Sequence, residues 1–210
     1  TIRLLKNIAG LWLLQECRRI WKQQGSEYSW SDLVQKAANS PPLVSLIHPD
    51  DGRFVAPKNM PAAIQGFCEE TGQMLPGTEG AVVRCILESL ALRYRMVLIW
   101  LRELTGAPIQ TIHIVGGGTQ NKLLCQMAAD ACNCRVVAGP VEATAIGNVM
   151  MQAVSGGDVD SIAGAREVIR GSFEVDEYVP QNTRPWDDAY EKFQRLVGVV
   201  RLTSMPKLAP

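Results

Sequence analysis

Three consecutive glycines, Gly116–Gly118, separate the β-branched, alternating run Ile109–Val115 from the apolar-periodic run Lys122–Cys132. Strand, glycine turn and helix in that order can bind an anion. Glycine lacks a Cβ, so a ligand can approach the backbone closely. A helix that follows presents unpaired N–H groups and the positive end of its dipole. A nucleotide phosphate is the natural guest. The segment has no Gly-Lys-Ser/Thr and is not a Walker A loop. The last glycine of GxGxxG is also missing, because position 121 is Asn. A tight βα turn packed against a neighbour is the other reading of the same glycines. Asn121, at the head of the helix, carries both a donor and an acceptor that suit an adenine edge. Gly147, inside Glu142–Asn148, marks either close helix packing or a ligand pressed on the backbone.

Other reactive types point elsewhere. Six cysteines are too few for a disulfide scaffold. Cys132-Asn-Cys134 is not CxxC, and with only two histidines a zinc site lacks ligands. Reduced, buried thiols are expected, in a cytoplasmic setting. Cys68 and Cys85 flank the turn 72–77 almost symmetrically, so an antiparallel helix pair would bring them into contact as free thiols. His113 reads as a satisfied core histidine, Trp12, Trp21 and Trp100 as packing groups, and Asp50 and Asp51 as turn residues.

These residues need elements to position them. Leu4, Leu5, Ile8, Leu11, Trp12 and Gln15 predict a helix over 3–24, ended at Gly25. A second helix starts after Ser29 or Ser31 and stops at Asn39-Ser-Pro-Pro. A short strand is expected over 43–47 and a helix over 60–72. A long helix spans 78–105, apolar around most of its circumference and therefore central. Its charged residues Arg84, Glu88, Arg95 and Arg102 fall on one stripe, of which Arg84, Arg95 and Arg102 read as a solvated face. After the glycine turn come a strand at 135–138 and helices over 142–154, 158–170 and 184–200, the last two joined by an irregular linker. The chain divides into one domain, 1–202, and a disordered tail, 203–210.

Composition sets the class. The 210 residues include 21 basic and 21 acidic side chains and are 47% hydrophobic, with pI about 6.7. That suits a globular domain and disfavours nucleic-acid binding by bulk charge. No apolar run reaches the ~18 residues that span a bilayer, so no membrane partner is expected. The chain opens on Thr1 and is read as a piece of a longer one.

Val115-Gly-Gly-Gly-Thr-Gln-Asn-Lys-Leu-Leu-Cys-Gln-Met-Ala-Ala-Asp, followed by Val136-Val-Ala-Gly-Pro-Val-Glu-Ala-Thr-Ala-Ile-Gly-Asn, resembles the adenosine-binding stretch of the FGGY carbohydrate kinases. Leu4-Leu-Lys-Asn-Ile-Ala-Gly-Leu-Trp-Leu-Leu-Gln and Ile112-His-Ile-Val-Gly-Gly-Gly resemble the members that act on L-rhamnulose. The resemblance runs from Thr1 to about Leu196. It implies an α/β fold, the actin-like ATPase (ribonuclease H-like) carboxy-terminal domain, helix-rich and incomplete at its amino-terminal side. It implies ATP with Mg2+, and phosphorylation of L-rhamnulose at its 1-hydroxyl. Asn7 and Gln15 match nucleotide-serving positions, eight apart and so able to share one helix face. Gly117 matches the phosphate-contacting glycine, Gly116 and Gly118 complete the turn, and Asn121 matches the asparagine facing the base. The sugar site, the general-base aspartate and the loop for the terminal phosphates have no match here. No catalytic residue and no metal ligand is therefore expected within these residues, and the chain alone is expected to be catalytically incomplete. The alternative is a non-catalytic nucleotide-binding or interaction module of the same fold.

Overall fold

The computed structural model describes residues 4–204. The first helix, α1, covers only Trp12–Gln23. The expected start at residue 3 fails because Gly10 takes a left-handed φ of +59°, which breaks the helix, and the stretch before it has no regular structure. Helix α2 is Trp30–Ala38. Its N-cap is Ser29, in a reciprocal capping box with Asp32.

No strand forms at 43–47. Leu43 sits at φ +56°, and side chains instead of a neighbouring strand satisfy the backbone there. The Leu43 N–H donates to Glu88, Leu46 pairs with Gln73, and the Ile47 N–H donates to Ser89. Helix α3, Met60–Glu70, is capped by Asn59 and has Pro61 in its first turn. Helix α4, Glu79–Thr105, is capped by Thr78 and ended by left-handed Gly106.

The main core surrounds α4. Leu13, Leu14, Leu33, Ile64, Phe67, Ile86, Leu87 and Phe193 are buried together there. The charged stripe of α4 is not a solvated face. Glu88 is 1% exposed, and Arg84, Arg95 and Arg102 are half-buried with partners. Arg84 pairs with Glu88 and also donates to the Ala37 and Ala38 carbonyls. Arg95 pairs with Asp187, and Arg102 donates to the Ile109 carbonyl.

Strand β1, Thr111–Ile114, lies parallel to β2, Arg135–Ala138, with α5, Lys122–Cys132, connecting them. Ile112, Ile114, Val136 and Ala138 face Cys125, Ala128 and Ala129 of α5. His113 is exposed on this short strand and is not a core residue. The linker expected to be irregular contains β3, Asp176–Tyr178, antiparallel to β2. The sheet order is β1-β2-β3. Helices α6, Ala143–Gly156, and α7, Ile162–Ser172, pack on one another. Gly147 in α6 has open space where a Cβ would stand, so helix packing does not explain it. Helix α8, Arg184–Ser204, runs past the expected end at Val200, and the rest of the expected tail lies outside the described residues.

Candidate nucleotide site

Between β1 and α5 the chain makes a short 3-10 turn, Gly116–Gln120. Gly116 takes φ +78° and donates its N–H to the Pro140 carbonyl, which pins the turn beside the end of β2. The Thr119 hydroxyl donates back to the Gly116 carbonyl at 2.8 Å. Near the start of a 3-10 turn whose bonds run from each N–H to the carbonyl three residues back, the Gly117 N–H has no intrahelical acceptor, while the Gly118 N–H is taken by the Val115 carbonyl. A Cβ on Gly117 would meet nothing within 4 Å, so the space over this backbone is open.

That space is a cleft of about 1000 Å³. Gly117, Gly118 and Asn121 form one wall, and Gln15 of α1 forms another with Gly10, Leu11 and Leu14. Helix α2 closes a third side with Trp30, Val34 and Ala38, spaced four apart and hence on one helix face, and with Gln35 beside them. Tyr94 of α4 lies at the base, and burial pushes its hydroxyl up to about 12. Among the described residues that line the cleft, Lys122 is the single charged one. Its ammonium lies 3.3 Å from Asp176 and both are exposed, so the pair is weak. Apolar walls, several amides and a free backbone turn suit a flat, polar-edged base joined to a phosphate.

Four of the six expected site residues therefore meet at one cleft: Gln15, Gly117, Gly118 and Asn121. Gly116 does not line it but holds the turn that does. Asn7 is not among the lining residues. It is exposed on the irregular stretch before α1, so the shared helix face expected for Asn7 and Gln15 does not exist. Asn121 also differs from expectation. Its Oδ1 accepts the Leu124 N–H at 3.0 Å and caps α5. Its oxygen is engaged by that cap while its amide nitrogen keeps both donors for a base edge, and α5's first turn is already partly satisfied. The Gly117 N–H, over open space, is the free backbone donor of the turn for an incoming anion.

The α2 face was missed in the sequence. Its signal was the four-residue spacing of Trp30, Val34 and Ala38, which also describes an ordinary core face. Cys68 and Cys85 do meet, thiol to thiol, across the α3–α4 pair, and all six cysteines are buried and free. The hydrogen bond from Cys85 holds the Cys68 thiol below its ordinary value, while that bond and burial push Cys85 up.

Residues 1–156 match the C-terminal domain of the FGGY family of carbohydrate kinases. A rhamnulokinase from Bacteroides thetaiotaomicron is 49% identical over 197 residues, covering 94% of this chain and 40% of the relative. One from Bacillus subtilis is 40% identical over 182 residues, covering 87% of this chain and 37% of the relative. Among solved structures, a xylulose kinase from Rhodospirillum rubrum superposes with TM-score 0.63 at 20% identity, covering 91% of this chain and 38% of that one. A Plasmodium falciparum glycerol kinase solved with ADP superposes with TM-score 0.59 at 16% identity, covering 94% of this chain and 37% of that one. The chain thus spans about 40% of the length of the curated relatives it matches. The structural likenesses show the fold, the actin-like α/β domain of sugar kinases.

Proposed function

The chain belongs to the FGGY family of carbohydrate kinases, and on that premise we propose that residues 1–202 form the ATP-binding side of a kinase that phosphorylates L-rhamnulose at its 1-hydroxyl. The observation that carries the ATP reading is the convergence of Gln15, Gly117, Gly118 and Asn121 on one cleft with an unobstructed glycine backbone. The sugar assignment rests on the relatives named rhamnulokinase.

Phosphoryl transfer depends mainly on positioning and on stabilising charge. In this reading the α2 face and Leu14 exclude water from the base, Asn121's amide nitrogen offers it a donor, and the Gly117 N–H holds a phosphate oxygen. The sugar and the base that deprotonates its hydroxyl belong to residues outside this chain. Mg2+ accompanies ATP in such a reaction, but no carboxylate lines the cleft, so the described residues do not by themselves fit the ion. Six free thiols suit a reducing cytoplasm.

Titration of ADP onto this chain tests the reading. Binding is expected without any rhamnulose-dependent ATP consumption. Gly117→Val should abolish binding while leaving the melting temperature near that of the parent, because the added side chain projects into open space. Unchanged binding in a folded Gly117→Val protein would overturn the assignment of the cleft.

A further inference from the structure

Asp50 does more than make the turn expected of it. Its two carboxylate oxygens point to two distant parts of the chain. Oδ1 accepts the Ala9 N–H at 2.9 Å. Oδ2 accepts Arg93 Nε at 2.8 Å and lies 2.8 Å from an Arg93 terminal nitrogen. Arg93 is 4% exposed in the middle of α4, with its guanidinium 5.0 Å above the Trp100 ring and a further N–H on the Met96 sulfur. A planar guanidinium held on both sides loses little freedom when it grips a carboxylate. Arg93 therefore fixes Asp50, and Asp50 fixes Ala9.

Ala9 immediately precedes Gly10, Leu11, Leu14 and Gln15, which form one wall of the cleft. Residues 4–9 have no helix or strand of their own to locate them. Ile8 and Ala9 pack against the main core, the Ala9 N–H bond is the hydrogen bond that ties this stretch to it among the described residues, and Lys6, 3.9 Å from the same carboxylate, adds a weaker exposed attraction.

We propose that Asp50, backed by Arg93, is a positioning residue of the nucleotide cleft, setting the distance of the Gly10–Gln15 wall from the glycine turn. The proposal deepens the ATP-site reading and rests on it. Asp50 itself does not line the cleft and touches no nucleotide.

The test combines ADP titration with amide hydrogen exchange on the parent chain, Asp50→Ala, Asp50→Asn and Arg93→Met. Asp50→Ala should weaken ADP binding roughly threefold to tenfold, a loss the size of one ordinary hydrogen bond's net contribution, because the wall loosens without leaving the core. It should speed exchange across residues 8–15 and leave α5 as protected as in the parent. Asp50→Asn keeps an acceptor for Ala9 and should recover part of both. Arg93→Met should shift both readouts in the direction of Asp50→Ala. Parent-like ADP affinity in Asp50→Ala overturns the proposal, as does faster exchange spread equally over α4 and α5. If Asp50→Ala does not fold, Asp50→Asn and Arg93→Met decide, and parent-like affinity with parent-like exchange at residues 8–15 in both overturns it. If the parent chain does not bind ADP, the ATP-site reading falls and takes the positioning role with it. Local exchange changes in that case would still report the Ala9 tether.

Discussion

Asn121 carries two jobs with one amide. Its oxygen caps α5 and its nitrogen is the donor left to a ligand. Substitutions can separate the two. Asn121→Ala should cost about 1 kcal/mol of stability through the lost cap, and should also weaken ADP binding. Asn121→Asp retains the capping oxygen and places negative charge at a helix N-terminus, so its urea midpoint should match or exceed the parent's. It lacks the donor and brings charge toward the phosphates, so ADP affinity should fall further than in Asn121→Ala. Equal ADP affinity in Asn121→Asp and the parent would leave the residue as a cap alone. Asn121's role was only half legible in the sequence. An asparagine at a helix start reads equally as a cap or as a reader of bases, and only the bond to Leu124 shows which atom is spoken for.

Helix α4 shows how an element can be central without being apolar throughout. Glu88 is buried and holds both Arg84 and the Leu43 backbone, in place of the strand that never forms at 43–47. Burial raises its carboxyl above the ordinary value of 4.5, against the opposing pull of Arg84. Its folded value lies above its unfolded one, so its contribution to stability is greatest below the ordinary value and is lost as pH rises through the raised one. The stability of the parent minus that of Glu88→Gln should accordingly decline as pH rises through this window. Urea unfolding at several pH values measures it, and a difference that grows with pH would contradict the assignment. The contact between α2 and α4 is tighter still. A Cβ on Gly80 would stand 2.5 Å from the Lys36 carbonyl oxygen and 2.7 Å from Ser40 Oγ. Backbone cannot yield there at little cost, so Gly80→Ala should lose about 1–3 kcal/mol by overpacking, read as a lower melting temperature. Because α2 forms a wall of the cleft, the same variant should bind ADP more weakly.

Across the molecule, all six thiols lie out of reach of solvent, distributed over α1, α3, α4, α5 and the turn into β2. Burial pushes Cys125 up to about 11 and Cys132 up to about 12, and raises Cys17 strongly. The thiolate is the reactive form, so these groups are protected by charge state as well as by access. Cys68 is the exception in charge state and relies on access alone. At about pH 8 the folded chain should take up no iodoacetamide on the minutes scale, and the chain in concentrated guanidinium should take up six equivalents. Uptake at one thiol in the folded chain would locate a segment that opens. Uptake at Cys68 first would point to the α3–α4 pair.

Much of this architecture could be read from short-range signals. Apolar spacing, Ser29, Asn59 and Thr78 as caps, and Gly106 as a stop act over a few residues, so α2 to α5 and strands β1 and β2 follow from local chemistry. The glycine turn was legible for the same reason, since three missing Cβ atoms are a property of the residues themselves. What folding alone settled depends on partners far apart in sequence. Residues 3–11 have a helical pattern, yet Gly10 turns left-handed and Asp50, 41 residues away, takes the Ala9 N–H. Asn7 therefore never joins Gln15 on a helix face. Residues 43–47 look like a strand, yet side chains of α4 and Gln73 reach their backbone first. Strand β3 carries too few residues to signal itself and exists because β2 offers an edge. A buried backbone group must find a partner, and whether that partner is a neighbouring turn, another strand or a carboxylate from across the core is decided only when the chain closes on itself.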